Sequence, residues 1–225
     1  MTDYSKLDHY SLKAQKEGYP ARSVYKLKEM DEKFSLVKSG RLPFKVLDLG
    51  AAPGSWSLYV LRKLSARTGS RGASAPASET APASEKPPLT LASVDLSPLS
   101  RQYDHGLFDR PDFRFIQGDF TLPEIREAIL SLGPYSLLVS DAAPATTGNR
   151  SVDTLRSLDL AETALYYAET ALAKGGNFVV KVFQGGDTGS LLKKIRFLFE
   201  TGKSFKPQAC RTESFETYYL GLGKK

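Results

Sequence analysis

Cysteine and histidine are nearly missing from these 225 residues: there is one cysteine, Cys210, and there are two histidines, His9 and His105. A lone cysteine rules out an intramolecular disulfide, and so few soft ligands cannot build a Cys/His zinc cage. The chemistry to be expected therefore uses no metal, and a reducing compartment, the cytoplasm, is the expected setting. Long apolar runs are missing too. None approaches the roughly 20 residues needed to cross a bilayer, and the opening Met1-Thr2-Asp3-Tyr4-Ser5-Lys6 has no apolar signal core. No membrane partner is expected.

What is present is a mixed composition, 41% hydrophobic and 25% charged. That supports one substantial core, so a single domain over 1–225 and a monomer are the default expectations. The net charge of +6 favours an anionic partner such as a nucleic acid without identifying it. Between Ser65 and Pro88 the chain consists largely of Ala, Ser, Pro, Gly and Thr and has no large apolar residue. Such a stretch cannot offset the entropy of ordering. It reads as a flexible insertion over 65–88. An interdomain linker is the competing reading, but the flanks look like consecutive pieces of one alternating sheet.

Short apolar runs at Lys45–Leu49, Leu89–Val94, Phe113–Ile116, Leu137–Val139 and Phe178–Val182 read as strands. Helices are expected between them at Ser55–Leu64, Pro123–Ser131, Val152–Ala173 and Ser190–Phe199, with a late antiparallel strand at Glu216–Leu222. The expected fold class is α/β: a doubly wound, Rossmann-like, mostly parallel sheet with helices on both faces. Two further helices, Tyr4–Glu17 and Ala21–Phe34, occupy residues 1–40. On the second, Arg22, Lys26, Glu29 and Lys33 share one face. That face is either a solvated helix surface or part of a basic track, with Lys38 and Arg41, for a phosphate backbone. Tyr19 or Tyr25 would then either stack an unpaired base or pack against the core.

The first strand ends in Gly50-Ala51-Ala52-Pro53-Gly54. Small residues at the first turn of an α/β sheet mark a nucleotide site. The second glycine of G-x-G-x-x-G is missing, so a nucleoside without phosphates fits better. Asp48 is placed to hold the ammonium of a methionine moiety, and Gly50 and Gly54 let the turn approach the ligand. Asp95, at the end of the second strand, would grip a ribose; setting aside 65–88 restores its distance from Gly54 to roughly the 20 residues usual for such a grip. Asp119 would accept from the adenine amino group. Each aspartate alone could be a helix N-cap, but three at successive strand ends suggest one ligand.

At the fourth strand end stands Ser140-Asp141-Ala142-Ala143-Pro144. It lacks the Asn/Asp-Pro-Pro-aromatic motif of amino-methylating enzymes and the Pro-Cys nucleophile of cytosine-carbon enzymes, which disfavours base methylation. Lys181 interrupts the apolar run Phe178–Phe183. It is either at the strand's exposed end or paired with Asp141 on the neighbouring strand.

These blocks carry a resemblance. Gly18-Tyr19-Pro20-Ala21-Arg22-Ser23-Val24-Tyr25-Lys26-Leu27, Asp48–Ser57, Gln117-Gly118-Asp119-Phe120, Ser140–Pro144, Val180-Lys181-Val182-Phe183 and Arg211–Tyr218 together resemble the FtsJ (RlmE) ribosomal RNA 2′-O-methyltransferases over nearly the whole chain. The resemblance implies a catalytic tetrad on Lys26, Asp141, Lys181 and Glu216. It also implies S-adenosylmethionine as cofactor, with contacts at Gly54, Trp56, Asp95, Asp119 and Asp141, and a uridine 2′-hydroxyl of 23S RNA in the large ribosomal subunit as substrate. Transfer RNA as the substrate, or a non-catalytic RNA-binding assembly factor, stay open as alternatives. Ser55 stands where a glycine is more usual in such proteins, and the 65–88 insertion departs from their compact form.

Overall fold

The computed structural model describes residues 8–38, 44–68, 88–211 and 213–225. Its strands are β1 (Val46–Leu49), β2 (Leu91–Asp95), β3 (Phe113–Gln117), β4 (Tyr135–Ser140), β5 (Leu172–Phe183), β6 (Phe199–Phe205) and β7 (Glu216–Lys224). They form one sheet in the order β3-β2-β1-β4-β5-β7-β6. β1 to β5 pair in parallel, while β7 runs antiparallel to both β5 and β6. The helices are α1 (His9–Lys16), α2 (Val24–Phe34), α3 (Ser55–Thr68), α4 (Pro123–Ser131), α5 (Arg150–Ala171) and α6 (Thr188–Leu198). None of them is long and apolar enough to cross a membrane.

Side-chain alternation along the strands divides the core in two. Val46, Leu91, Leu137, Val139, Val179, Tyr218 and Leu220 face α1, α2 and α3, where Leu27, Met30, Leu58 and Leu61 are fully buried. Leu47, Leu49, Val94, Leu138, Phe178, Val180 and Val182 face α4, α5 and α6. Truncating Leu27 or Met30 to alanine would cost about 2–5 kcal/mol. The chain leaves β1 toward β2 and β3, then returns to the other side of β1 as β4. A crevice therefore opens above the ends of β1 and β4, where such sheets bind ligands.

The apolar runs identified in the sequence are all strands of this sheet, and Glu216 does begin the late antiparallel one. Three differences have physical causes. β6 is an additional strand: its sequence Phe-Glu-Thr-Gly-Lys-Ser-Phe is half-exposed at the sheet edge, and only Phe199 is fully buried, so it lacks an apolar signature. α3 runs to Thr68, so Ser65–Thr68 continue a helix instead of starting an insertion; residues 69–87 lie outside the described residues. α1 begins at His9, capped by the Asp8 carboxylate, which accepts from the Ser11 N–H at 2.9 Å; residues 1–7 of the expected first helix are likewise outside.

The turn after β1 depends on glycine. Gly50 has φ of 73°, and a Cβ there would lie 2.6 Å from the Ala142 Cα. Two loops thus meet backbone to backbone at the crevice floor. Gly50→Ala is expected to lower unfolding free energy by about 1–3 kcal/mol. An unchanged urea midpoint would show that this close approach is not required.

Candidate active site

Strand alternation decides where the chemistry-bearing side chains go. Asp141 shares the parity of Leu137 and Val139, Lys181 that of Val179, and Glu216 that of Tyr218 and Leu220. All three therefore emerge on the α2 face, close to the strand ends that border the crevice. Lys26 comes from α2 on the same side. Its ammonium lies 2.8 Å from Glu216 Oε1, while Lys181 Nζ lies 3.1 Å from Asp141 Oδ1 and also donates to the Asp141 carbonyl. The Tyr218 hydroxyl donates to Asp141 Oδ1 at 2.6 Å, and the Lys26 ammonium sits 5.9 Å from the Tyr218 ring. The four residues expected as a tetrad thus form two ion pairs linked through a tyrosine. Tyr218 was not singled out from the sequence, although it lies two residues after Glu216 and so on the same face.

Burial works against these charges, but their partners prevail. Burial alone would raise the Asp141 carboxyl pKa; Lys181, Lys26 and the Tyr218 hydroxyl together hold it below the ordinary value. Burial would lower the Lys26 pKa, yet Asp141 and Glu216 raise it above its usual value. Tyr218 is pushed well up by burial and by the same two carboxylates, so its hydroxyl remains a donor. The neighbouring Cys210 thiol is pushed up to about 12, first by burial and then by Glu216, which leaves it without thiolate reactivity.

Two anchors hold α2 in place. The Ser55 hydroxyl accepts from the Ala21 N–H at 2.8 Å and donates to the Ala21 carbonyl at 3.1 Å. The Trp56 indole donates to the Ser23 carbonyl at 2.8 Å. The helix's polar face then docks on the segment before β7: Glu29 accepts from the Gln208 and Ala209 N–H groups at 2.6 and 2.8 Å, and Arg22 binds Asp8 and the Ala209 carbonyl. That face is accordingly an interface inside the protein. Of the basic track expected on it, Arg22 and Lys26 are committed to carboxylates, Lys33 lies 4.6 Å from the Phe205 ring, Lys38 is exposed, and Arg41 is outside the described residues. Tyr19 and Tyr25 are buried in the α2 core, so of the two readings left open for them packing holds.

Beside the ion pairs, a cavity of ≈ 840 Å³ opens over the ends of β1 to β4. Gly50, Asp95, Asp119 and Asp141 line it, as expected from the sequence. Asp95 uses one oxygen for the Ala52 N–H and the other for the Ser97 N–H, and Asp119 Oδ1 takes the Thr121 N–H and hydroxyl. Gly54, Trp56 and Asp48 are not among the lining residues. By strand parity Asp48 points toward α3 and lies fully buried, with Oδ2 accepting from the Ser57 hydroxyl at 2.7 Å and Oδ1 without a partner. The other lining residues include Ala142, Pro144, and Arg156, Asp159 and Thr163 from α5. Nothing in the strand-end motifs pointed to those last three, because they lie within α5, away from any strand end.

The sheet order, the glycine turn and the carboxylates ringing the crevice define the class: a Rossmann-like methyltransferase. The chain belongs to the FtsJ-like methyltransferase family, whose profile matches residues 19–224. It is 48% identical over 223 residues to the "Ribosomal RNA large subunit methyltransferase E" of Treponema denticola, covering 99% of this chain and 97% of that one. It is 44% identical over 218 residues to the protein of the same description from Nitratidesulfovibrio vulgaris, covering 96% and 94%. Among solved structures, a Plasmodium falciparum protein described as a ribosomal RNA methyltransferase superposes with a TM-score of 0.65. It is 24% identical, with 92% of this chain and 98% of that one covered, which shows the shared fold.

Asp48 gives a stability test. Burial first, with Asp141 and Asp95 adding, pushes its pKa up to about 7 from an ordinary 3.8, against the lowering effect of Ser57. The unfolded chain releases this proton near 3.8 while the folded chain keeps it, so stability from this group is lost as pH rises toward about 7. Asp48→Asn is expected to reduce the fall in unfolding free energy between pH 5 and pH 8. Identical pH slopes for both proteins would reject the buried carboxyl as its source.

Proposed function

We propose that the chain transfers the methyl group of S-adenosylmethionine to a ribose 2′-hydroxyl in the RNA of the large ribosomal subunit. The observation that carries this reading is the pair of lysine–carboxylate bridges opening beside the cavity, in a chain whose relatives are described as large-subunit ribosomal RNA methyltransferases.

The residues at the cavity fit such a cofactor. Four aspartates, Asp95, Asp119, Asp141 and Asp159, line it against one arginine, Arg156. This excess of carboxylate repels phosphates and favours a cationic nucleoside rich in hydroxyl and amino donors. Gly50, Asp95, Asp119 and Asp141 would hold it, while Asp48, Gly54 and Trp56 support the turn behind. When bound, S-adenosylmethionine supplies a methyl group on a sulfonium, which departs as a neutral thioether.

A ribose hydroxyl is a weak nucleophile, so this chain's residues must place it in line and manage its proton. In this reading Lys181, oriented by the Asp141 carboxylate and carbonyl, must first shed the proton of its ion pair and then takes the one from the hydroxyl. Lys26 and Glu216 position the ribose, and the Tyr218 hydroxyl fixes the Asp141 carboxylate. The narrower assignment, a uridine of 23S RNA, follows the family resemblance.

Methyl-labelled S-adenosylmethionine offered with unmodified large subunits or with bulk transfer RNA separates the alternatives. Label is expected in a 2′-O-methyl nucleoside from the subunits and absent with Lys181→Ala. Label confined to transfer RNA would overturn the substrate. No label at all, with cofactor still bound, would favour an assembly factor. Lys181→Arg is expected to lose about two to four orders of magnitude in turnover; near-normal turnover would remove the base role from Lys181.

A further inference from the structure

The rim opposite α2 carries a group that the proposed chemistry does not use. Phe215, immediately before Glu216, packs its ring 4.6 Å from that of Phe183, which faces Glu216 across the β5–β7 register and lies two residues after Lys181. The Gln184 N–H donates to the Phe215 carbonyl at 2.7 Å, locking this corner shut. Above it stands Arg150, the first residue of α5, with its guanidinium carbon 5.1 Å from the Phe215 ring centroid and Nη2 3.5 Å from the Gln184 carbonyl.

Arg150 differs from the site's ion-paired cations. Arg22, Lys26 and Lys181 are each neutralised by a carboxylate. Among the described residues Arg150 forms no ion pair; Asp153, the acidic residue nearest in sequence, is buried and accepts instead from the Thr147 N–H and hydroxyl. An exposed arginine whose guanidinium lies over an aromatic ring keeps N–H groups facing solvent in a planar fork, a chemistry suited to a phosphodiester. The two ion pairs between the rims are electrically neutral, so they offer an RNA strand no net attraction where the reaction must occur.

We propose that Arg150, braced by Phe215, binds a backbone phosphate adjacent to the ribose presented to Lys181. This rests on the RNA methyltransferase reading and adds a substrate-binding residue to it. Phosphate contacts fix register without reading sequence, so Arg150 sets the position of the strand across the site.

The test is steady-state methylation of unmodified large subunits over a range of salt concentrations. Arg150→Ala is expected to raise KM about three- to tenfold, with kcat at saturation and cofactor affinity little changed. The salt dependence of kcat/KM should also fall by about 0.7 in logarithmic slope, the loss of one phosphate contact. Arg150→Lys should recover part of the KM, and Phe215→Leu should give a smaller rise by removing the ring beneath the guanidinium. Unchanged KM and salt slope in Arg150→Ala, or a loss confined to kcat, would overturn the assignment while leaving the function standing. Failure of the unaltered protein to methylate any RNA would overturn both.

Discussion

The alternation of side chains across the sheet is the constraint on which the site depends. Three of its four charged members come from different strands or strand ends, and each is two residues from a buried apolar or aromatic side chain that fixes which way it points. A slip of one residue in β5 or β7 would send Lys181 or Glu216 to the α5 face. The core is therefore what aims the site: Val179, Tyr218, Leu220 and Val139, packed against α2 and α3, make any other register bury charge without a partner. Placing two ion pairs in this largely buried corner is costly for stability, since desolvation offsets much of their attraction. What the arrangement provides is fixed geometry, with each charged atom held by another and Tyr218 joining the pairs.

The same logic explains why the first turn is made of small residues. Gly50 lets the β1 and β4 loops touch at backbone level, and that contact brings the cavity wall within reach of Asp141. Behind the turn, Ser55 and Trp56 reach to Ala21 and Ser23. Ser55 thus has a specific task, holding the approach to α2 through both the N–H and the carbonyl of Ala21. The glycine turn and the helix that delivers Lys26 are consequently one mechanical unit.

Much of this was legible in the residues themselves. Runs such as Val179–Val182 interrupted by Lys181, and carboxylates at the ends of β2, the β3 loop and β4, identify the buried strands and the edge of the crevice. β6 escaped because an edge strand need not alternate, and Phe199 alone does its burying. The orientation of α2 escaped for another reason: periodicity shows that Arg22, Lys26, Glu29 and Lys33 share a face, but only tertiary packing shows that this face meets residues 205–216. Tyr25 and Tyr19 were ambiguous by type, since tyrosine serves equally as core and as a base-stacking surface. Arg150 carried no sequence signal at all, because its meaning comes from Phe215, far along the chain.

β7 is last in sequence yet lies between β5 and β6. It brings Glu216 and Tyr218, while every residue lining the large cavity comes from earlier in the chain. The walls of the large cavity are therefore drawn from one part of the chain, while the charged corner beside it is completed by a strand inserted between two earlier ones. Because Tyr218 and Leu220 are fully buried core residues, loss of β7 would cost the sheet its packing as well as Glu216. The packing of the sheet and the assembly of its charged corner are in this way borne by the same strand.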